Sequence, residues 1–226
     1  MNDVRSVKGR GFLHNKGTDT FSARIVTVNG RISSEQARKL ADIADTYGNG
    51  KLTFTTRLSV EMPGIPFAKI DAFEAAIRAI GLSVGGTGPK VRPVVACKGT
   101  TCPCGLIDTF ALAEAIHKRF YLGWHDVALP GKFKIAVGGC PNNCVKPDLN
   151  DIGIVGKILP GGKRGYQVFL GGHWGRTGGA GKPMAVLETQ DEVLGYIEKT
   201  LVFYRDHGAK SERFFKTLAR LGDGRI

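Results

Sequence analysis

Five cysteines are the most chemically distinctive feature of this 226-residue sequence, and all five lie between positions 97 and 144. Three occur in ACKGTTCPCG, as Cys97, Cys102 and Cys104, and two occur in GGCPNNCVKPD, as Cys140 and Cys144. The second segment is rich in glycine, proline and asparagine, so its backbone must turn there and present both thiols on a loop. An odd number of clustered cysteines indicates a metal or redox site rather than a disulfide framework.

The spacing of four of these thiols leaves several kinds of site open. Cys97, Cys102, Cys140 and Cys144 form a Cys-x4-Cys pair, a gap of 37 residues and a Cys-x3-Cys pair. Four cysteines are a common structural zinc set, although zinc pairs are usually spaced more tightly. A [4Fe–4S] cluster has four separate iron corners and tolerates wider spacing. The pattern therefore favours an iron–sulfur cluster over zinc, with free buried cysteines as the remaining alternative.

Basic residues accompany the cysteines along the chain. Lys132 and Lys134 stand two residues apart in LPGKFKIAVGGC, on a predicted strand that leads into the second cysteine segment. The alternation of side chains along a strand places both lysines on one face. Arg57 lies within the predicted strand 51–62, and Arg92 precedes the first cysteine by five residues. A single arginine on a strand is usually solvated or ion-paired. Here four cations lie on strands that end at, or lie beside, the cysteine segments, which indicates an anion pocket over a metal centre.

These segments resemble a known family. The cysteine pattern within GGCPNNCVKPDLNDIGIVG resembles that of the sirohaem and [4Fe–4S] sulfite and nitrite reductases. TTRLSVEMPGI is similar to the TTRQ-type strand of that family, and LPGKFK is similar to its Lys-x-Lys strand. The small size is most like the low-molecular-weight assimilatory-type sulfite reductases. The resemblance implies a six-electron reduction of sulfite to sulfide, with nitrite reduction to ammonia as the alternative and an iron–sulfur electron carrier without sirohaem as a weaker one.

The resemblance also implies roles for the cysteines. Cys97, Cys102, Cys140 and Cys144 would ligate the [4Fe–4S] cluster, and Cys144 would in addition bind the sirohaem iron as a shared thiolate. The first pair is usually one residue further apart in the family. Cys104 is therefore a rival to Cys102 as a cluster ligand.

Roles for basic residues follow from the same resemblance. Lys132 and Lys134 would hold the substrate anion and supply protons, whereas Arg57 and Arg92 would face sirohaem carboxylates or substrate. Arg24, on the first predicted strand, is a looser match to another family arginine. The segment LGGHWGRTGGAGKP contains six glycines and is predicted to be a loop. Two of its side chains would reach the rim of the sirohaem, namely His173 and Arg176.

The elements that must position these residues predict an α+β fold. A strand–helix–strand–helix pattern ends at the glycine-rich SVGGTGPK, which is the predicted domain boundary. We expect a ferredoxin-like half-domain at 1–88 and a sirohaem and iron–sulfur-binding α+β domain at 89–226, which together are one copy of the family's repeat. The second domain is predicted to contain strands at RPVVAC, KFKIAV, DIGIVGKIL and GYQVFLGG, a helix at 106–120 and helices across 189–222.

Charge and hydropathy limit the partners. Lysine and arginine outnumber aspartate and glutamate by 32 to 20, and the resulting net charge of +12 indicates contact with anions. We find no interleaved aromatics or motif typical of nucleic-acid binding, and neither a signal peptide nor an apolar stretch long enough to span a membrane. We therefore expect a cytoplasmic protein. The carboxylates of sirohaem, a small anionic substrate and an acidic donor such as a ferredoxin would account for the basic charge, and a homodimer would restore the missing half of the repeat.

Overall fold

The computed structural model describes residues 4–224 and 226 of the chain. The described residues form two compact units, and the division falls between Gly88 and Pro89. Residues 1–3 and 225, which belong to the two predicted domains, lie outside the described residues. That each unit is an independent domain stays a prediction. None of the helices in the described part of the chain is both long enough and apolar enough to cross a membrane.

The first unit is an antiparallel sheet covered by helices. Its strands follow the order β1-β2-β4-β3, and β5 pairs with β2. The helices are α1 (Val4–Lys8), α2 (Ser34–Tyr47) and α3 (Ile70–Ala79), and the strands are β1 (Phe12–His14), β2 (Thr20–Val26), β3 (Thr53–Phe54), β4 (Val60–Pro66) and β5 (Ser83–Val84). Both longer helices bury residues at three- and four-residue intervals against the sheet, including Leu40 and Ile43 of α2 and Phe73 and Ile77 of α3.

The predicted strand at 51–62 is wrong around Arg57. The chain forms two strands there, and Arg57 lies in the turn between them, followed by Leu58 in a left-handed conformation with φ of 56°. The N–H of Thr55 donates to the carbonyl oxygen of Ser59 (2.9 Å), and the N–H of Leu58 donates to the carbonyl oxygen of Thr55 (3.0 Å). The Thr55 and Ser59 hydroxyl groups are 2.7 Å apart and close the turn. Short hydroxyl side chains favour turns in this way, which the alternating pattern concealed.

The second unit is a mixed sheet in the order β10-β9-β8-β7-β6. β6, β7 and β8 run parallel, whereas β9 and β10 are antiparallel to their neighbours. The strands are β6 (Val95–Ala96), β7 (Ile135–Gly138), β8 (Ile152–Ile158), β9 (Arg164–Leu170) and β10 (Lys182–Leu187), and the helices are α4 (Thr109–Ile116), α5 (Gln190–His207) and α6 (Phe214–Leu221). α4 continues as a π-helical segment, His117–Leu122.

An aromatic cluster anchors α5 and α6 to the sheet of the second unit. Phe133, Tyr204 and Phe214 are all fully buried. The ring centroids of Phe133 and Phe214 are 5.2 Å apart, and those of Tyr204 and Phe214 are 5.4 Å apart. Edge-to-face packing of this kind stabilises an aromatic pair beyond its buried area. It fixes the start of α6 next to the segment that carries Phe133.

Several boundaries in the second unit differ from the prediction. The strand predicted at KFKIAV begins at Ile135, so Lys132 and Lys134 precede it. The helix predicted from residue 106 begins at Thr109, because the Asp108 carboxylate caps it by accepting the N–H groups of Phe110 and Ala111 (3.1 and 3.0 Å). The end of the predicted glycine-rich loop is strand β10, which pairs with β9 from Lys182 onward. Backbone pairing with β9 decides this strand, and the glycine-rich composition concealed it.

Candidate functional site

The two cysteine segments begin where neighbouring parallel strands end. Cys97 follows β6 directly, and Cys140 follows β7 after one intervening residue. The two strands pair in parallel register, with Ala96 opposite Val137. Parallel strands deliver the segments after them to the same edge of a sheet. The fold therefore places both cysteine loops side by side, although they are far apart in sequence.

Close backbone contact holds these two loops together. A β-carbon on Gly139 would lie 2.7 Å from the Cα of Gly99, so neither position has room for a side chain. The N–H of Gly139 donates to the sulfur of Cys97 (3.1 Å), and its carbonyl oxygen accepts the N–H of Leu106 (2.8 Å). The Thr109 hydroxyl donates to the carbonyl oxygen of Cys97 (2.7 Å). The Cys97 sulfur thus accepts a hydrogen bond from Gly139, the residue immediately before Cys140.

Asparagines shape the chain within and after the loop between Cys140 and Cys144. Asn143 has a left-handed backbone with φ of 56°, and its amide donates to the Asp148 carboxylate (2.8 Å). The Asn150 amide donates to the carbonyl oxygen of Lys146 (3.0 Å). Asparagine tolerates this conformation and bonds to nearby backbone, as the sequence composition indicated. A cavity of about 270 Å³ adjoins the loop, between it and strands β8 and β9.

The five thiols differ in exposure. Cys97, Cys102 and Cys140 are half-buried, whereas Cys104 and Cys144 are exposed, and all five are free. Within residues 4–224 and 226, no three cysteine, histidine or carboxylate side chains are already grouped as a metal site. The structure therefore brings the two loops together but leaves the choice of ligands a prediction. Free thiols on adjacent loops, with an N–H bonded to one sulfur, fit a thiolate-ligated cluster in donor type and placement.

The candidate anion-binding residues of the second unit lie at the other end of β7. Lys132 and Lys134 precede the strand. Phe133, between them, forms an isolated parallel β-bridge with Val91, and this pairing brings Arg92 next to the lysine segment. The N–H of Arg92 donates to the carbonyl oxygen of Phe133 (2.8 Å). The strand separates Lys134 from the cysteine loop by six residues, or up to about 20 Å of extended chain. The lysines and Cys140 thus flank opposite ends of β7, and an anion pocket over the cysteines stays a prediction.

A buried carboxylate that the sequence analysis missed lies among these cations. Asp151 is fully buried and accepts the N–H of Lys134 (2.8 Å) and Nη2 of Arg213 (3.1 and 3.2 Å). Burial raises the pKa of Asp151, and Arg213 opposes that shift. Burial, followed by Arg213 and Arg92, lowers the pKa of Lys132. A carboxylate placed immediately before the apolar strand IGIVG was the available signal for Asp151.

Arg24 and Arg57 belong to the first unit. Arg24 on β2 donates to the Glu61 carboxylate on β4 (2.9 Å), so this arginine already has an anionic partner. Arg57 is half-buried in its turn, where its N–H donates to the Thr55 hydroxyl (3.3 Å). Contact of either arginine with a cofactor stays a prediction.

The glycine-rich loop holds its histidine in place. The His173 ring stacks on Phe215 with centroids 3.7 Å apart, and its two ring nitrogens face the carbonyl oxygens of Gly171 and Thr177. Arg176 is exposed. These contacts give His173 a part in shaping the loop. Contact of His173 and Arg176 with a haem rim stays a prediction.

Two family models match the chain, one in each unit. Residues 87–224 match the nitrite and sulphite reductase 4Fe-4S domain, and residues 14–80 match the nitrite/sulfite reductase ferredoxin-like half domain. The first match includes all five cysteines, both lysines, Arg92 and Asp151. The second includes Arg24 and Arg57.

Individual relatives agree with these models. The coenzyme F420-dependent sulfite reductase of Methanocaldococcus jannaschii is 29% identical over 96% of this chain, which spans 43% of that relative. The assimilatory-type sulfite reductase of Nitratidesulfovibrio vulgaris is 36% identical, with 68% of this chain and 67% of the relative covered. The solved structure of the Mycobacterium tuberculosis NirA protein matches with a TM-score of 0.78 and 26% identity, over 93% of this chain and 40% of that one.

Proposed function

Because this chain belongs to the nitrite and sulphite reductase family, we propose that it is a sulfite reductase that uses a sirohaem and a [4Fe–4S] cluster. The observation that carries the proposal is the pair of cysteine loops at the ends of β6 and β7, joined by the hydrogen bond from Gly139 to the Cys97 sulfur. A family match and an adjacent pair of thiol-bearing loops together support a cluster site more strongly than either does alone.

Four thiolates would hold the cofactors. Cys97, Cys102, Cys140 and Cys144 would ligate the cluster, and Cys144 would also bind the sirohaem iron. Cys104 stays the rival of Cys102 for the second ligand position; Cys102 is half-buried and Cys104 is exposed. When bound, the two cofactors would pass six electrons from an external donor to sulfite, which would leave as sulfide.

The protein's own contribution would be to bind the anion and deliver protons. Lys132 and Lys134 would neutralise the sulfite oxygens, and a lysine ammonium can donate a proton to an oxygen that leaves as water. Arg92, which lies beside them, would add a fixed positive charge. The net charge of +12 would also favour an acidic electron donor such as a ferredoxin.

The cofactor content and the activity can be tested together. The protein, produced anaerobically in a host that makes sirohaem, is expected to show Soret and red bands, iron and acid-labile sulfide. It should reduce sulfite to sulfide with a reduced artificial donor. A colourless, iron-free protein would refute the proposal. Higher kcat/KM with nitrite than with sulfite would instead favour the alternative, reduction of nitrite to ammonia.

Lysine variants test the anion-binding role. Lys132→Ala and Lys134→Ala should keep both cofactors and lose sulfite turnover by about tenfold or more, because a charge-assisted contact with the substrate is lost. Lys163→Ala is a suitable control, since Lys163 is exposed and 4.0 Å from its nearest carboxylate, that of Glu188. Equal turnover in all three variants would remove the lysines from the mechanism.

A further inference from the structure

The cationic end of β7 contains a single buried carboxylate among several positive charges of the second unit. Lys132 is close enough to Arg213, Arg92 and Asp151 for each of these charges to shift its pKa. Lys134 acts on Asp151 in the same way. The group contains four cations and one carboxylate, so it has a surplus of positive charge. Like charges placed this close repel one another, and contacts with the Asp151 carboxylate offset part of that repulsion.

Asp151 makes those contacts from a fixed position. Its carboxylate is fully buried and directly precedes β8, the central parallel neighbour of β7. One oxygen accepts the backbone N–H of Lys134 at 2.8 Å, and both oxygens lie within 3.2 Å of Nη2 of Arg213. The carboxylate therefore connects the lysine segment to Arg213, which lies 62 positions after Asp151 in the sequence. Removal of one partner from a buried ion pair leaves the other charge uncompensated, which is costly.

Packing in the aromatic cluster places Arg213 beside Asp151 and the lysine segment. Arg213 is the residue immediately before α6, and the next residue, Phe214, is buried against Phe133. Phe133 separates Lys132 from Lys134 in the sequence. The packing of two rings thus places Arg213 next to the lysine segment, and its side chain retains only 19% exposure. Arg213 Nε is buried without a hydrogen-bond partner among the described residues.

We propose that Asp151 is a positioning residue for the anion site: it holds Arg213 beside Lys132 and fixes the backbone from which Lys132 and Lys134 project. Arg213 is then a further cation of that site. The inference rests on the proposed function, because the anion in question is sulfite. Neither residue was among the site residues predicted from the sequence.

Kinetics of the Asp151→Asn variant test the proposal in the cofactor-loaded protein. The variant keeps the side-chain volume but loses the negative charge, so Arg213 is no longer held. We expect the KM for sulfite to rise by about tenfold or more, with a smaller change in kcat and with unchanged cofactor absorption bands. A KM within about twofold of the wild-type value would overturn the proposal.

A second measurement does not depend on turnover. The rate at which acetic anhydride modifies Lys132, followed by mass spectrometry across a pH series, reports the pKa of this lysine. Asp151 raises the pKa of Lys132 against the lowering by burial, Arg213 and Arg92. Because Arg213 lowers this pKa more than Asp151 raises it, release of Arg213 in Asp151→Asn should shift the modification of Lys132 to higher pH, and a shift to lower pH or no shift would contradict the proposal. If the wild-type protein lacked cofactors and activity, the proposed function would fail, while this shift would still decide the role of Asp151.

A double-mutant cycle tests whether Asp151 acts through Arg213. Arg213→Gln alone should raise the KM for sulfite as Asp151→Asn does. The double variant should show little further increase, because two residues that act as a unit are not additive. Independent, multiplied effects would overturn the coupling. Arg213→Gln also keeps the test available if Asp151→Asn fails to fold.

Glu212→Gln is the matched control. Glu212 is adjacent to Arg213, but its carboxylate pairs with Arg220 and accepts hydrogen bonds from the Ala209 N–H and the Thr217 hydroxyl. This variant disturbs the start of α6 without touching Asp151. We expect an unchanged KM for sulfite and unchanged Lys132 labelling. A KM increase as large as that of Asp151→Asn would show that general loosening of α6, rather than the carboxylate, is responsible.

Discussion

Cys104 and Cys144 are both exposed thiols, although only Cys144 is proposed as a ligand. They therefore form a matched pair of serine variants. Cys144→Ser should lose the sirohaem bands or uncouple them from the cluster, because the shared thiolate is removed. Cys104→Ser should keep the wild-type visible spectrum, iron content and sulfide production. Normal sulfite reduction by Cys144→Ser would exclude the bridging role, and loss of iron in Cys104→Ser would make Cys104 a ligand in place of Cys102.

The pKa of Lys132 predicts the alkaline limit of activity. Burial, Arg213 and Arg92 lower this pKa from the ordinary 10.5, and Asp151 partly opposes them. A lysine must be protonated to bind an anion, so kcat/KM for sulfite should fall as the pH rises through this lowered pKa, and thus at lower pH than an ordinary lysine would cause. Lys132→Arg keeps its charge at high pH and should move the alkaline limit upward. A limit that stays in place in Lys132→Arg would assign it to another group.

Strand β7 and its flanking loops organise the second unit. The strand ends at Gly138, and the following Gly139 meets Gly99 of the neighbouring loop at a distance that excludes a side chain. Strand pairing brings the two loops to one edge of the sheet, and glycine allows their final approach. Strand pairing and the two glycines together make neighbours of cysteine segments that are distant in the sequence.

Gly139→Ala tests this close approach. Its β-carbon would meet the Cα of Gly99 at 2.7 Å, so the loops must separate and lose the hydrogen bond to the Cys97 sulfur. We expect a loss of about 1–3 kcal/mol in the free energy of unfolding and a reduced iron content. Gly195→Ala is the control, because Gly195 lies within α5 and its β-carbon would meet nothing within 4 Å. That variant should gain about 0.5–1 kcal/mol. Wild-type iron binding and stability in Gly139→Ala would contradict the argument.

The candidate anion-binding lysines and the second cysteine segment lie at opposite ends of β7. Lys132 and Lys134 precede the strand, and Cys140 follows it. A substrate site that needs both regions would be completed most simply by a second copy of the chain, with lysines from one protomer facing the cysteines of the other. We therefore predict a homodimer with shared sites.

Mixed dimers test shared sites directly. Chains carrying Cys144→Ser and chains carrying Lys134→Ala can be co-expressed with different affinity tags, and the mixed dimers isolated by both tags. Each mixed dimer would contain one intact site of two, so we expect about half of the wild-type turnover from two inactive variants. Inactive mixed dimers would place the whole site within one chain. Sedimentation velocity is the companion measurement, and a monodisperse monomer with full activity would contradict the homodimer.

Local patterns were enough to predict much of the fold. The spacing of Ala37, Leu40, Ala41 and Ala44 predicted α2, the apolar runs predicted β8 and β9, and the composition around Cys140 predicted a turn. Each of these signals depends on residues within a few positions of one another. The family resemblance was also contained in short segments, and the family match confirms it.

Contacts between distant segments were decided only by the tertiary structure. The sequence by itself determined which residues are thiols or cations and which stretches are helical or extended. It could not place Asp151 against Arg213, since 62 residues separate them and ring packing brings them together. It also could not place Arg92 beside Phe133, because the pairing of two separate segments makes that contact. Local conformation follows from neighbouring residues, whereas the composition of a site follows from strand order and packing.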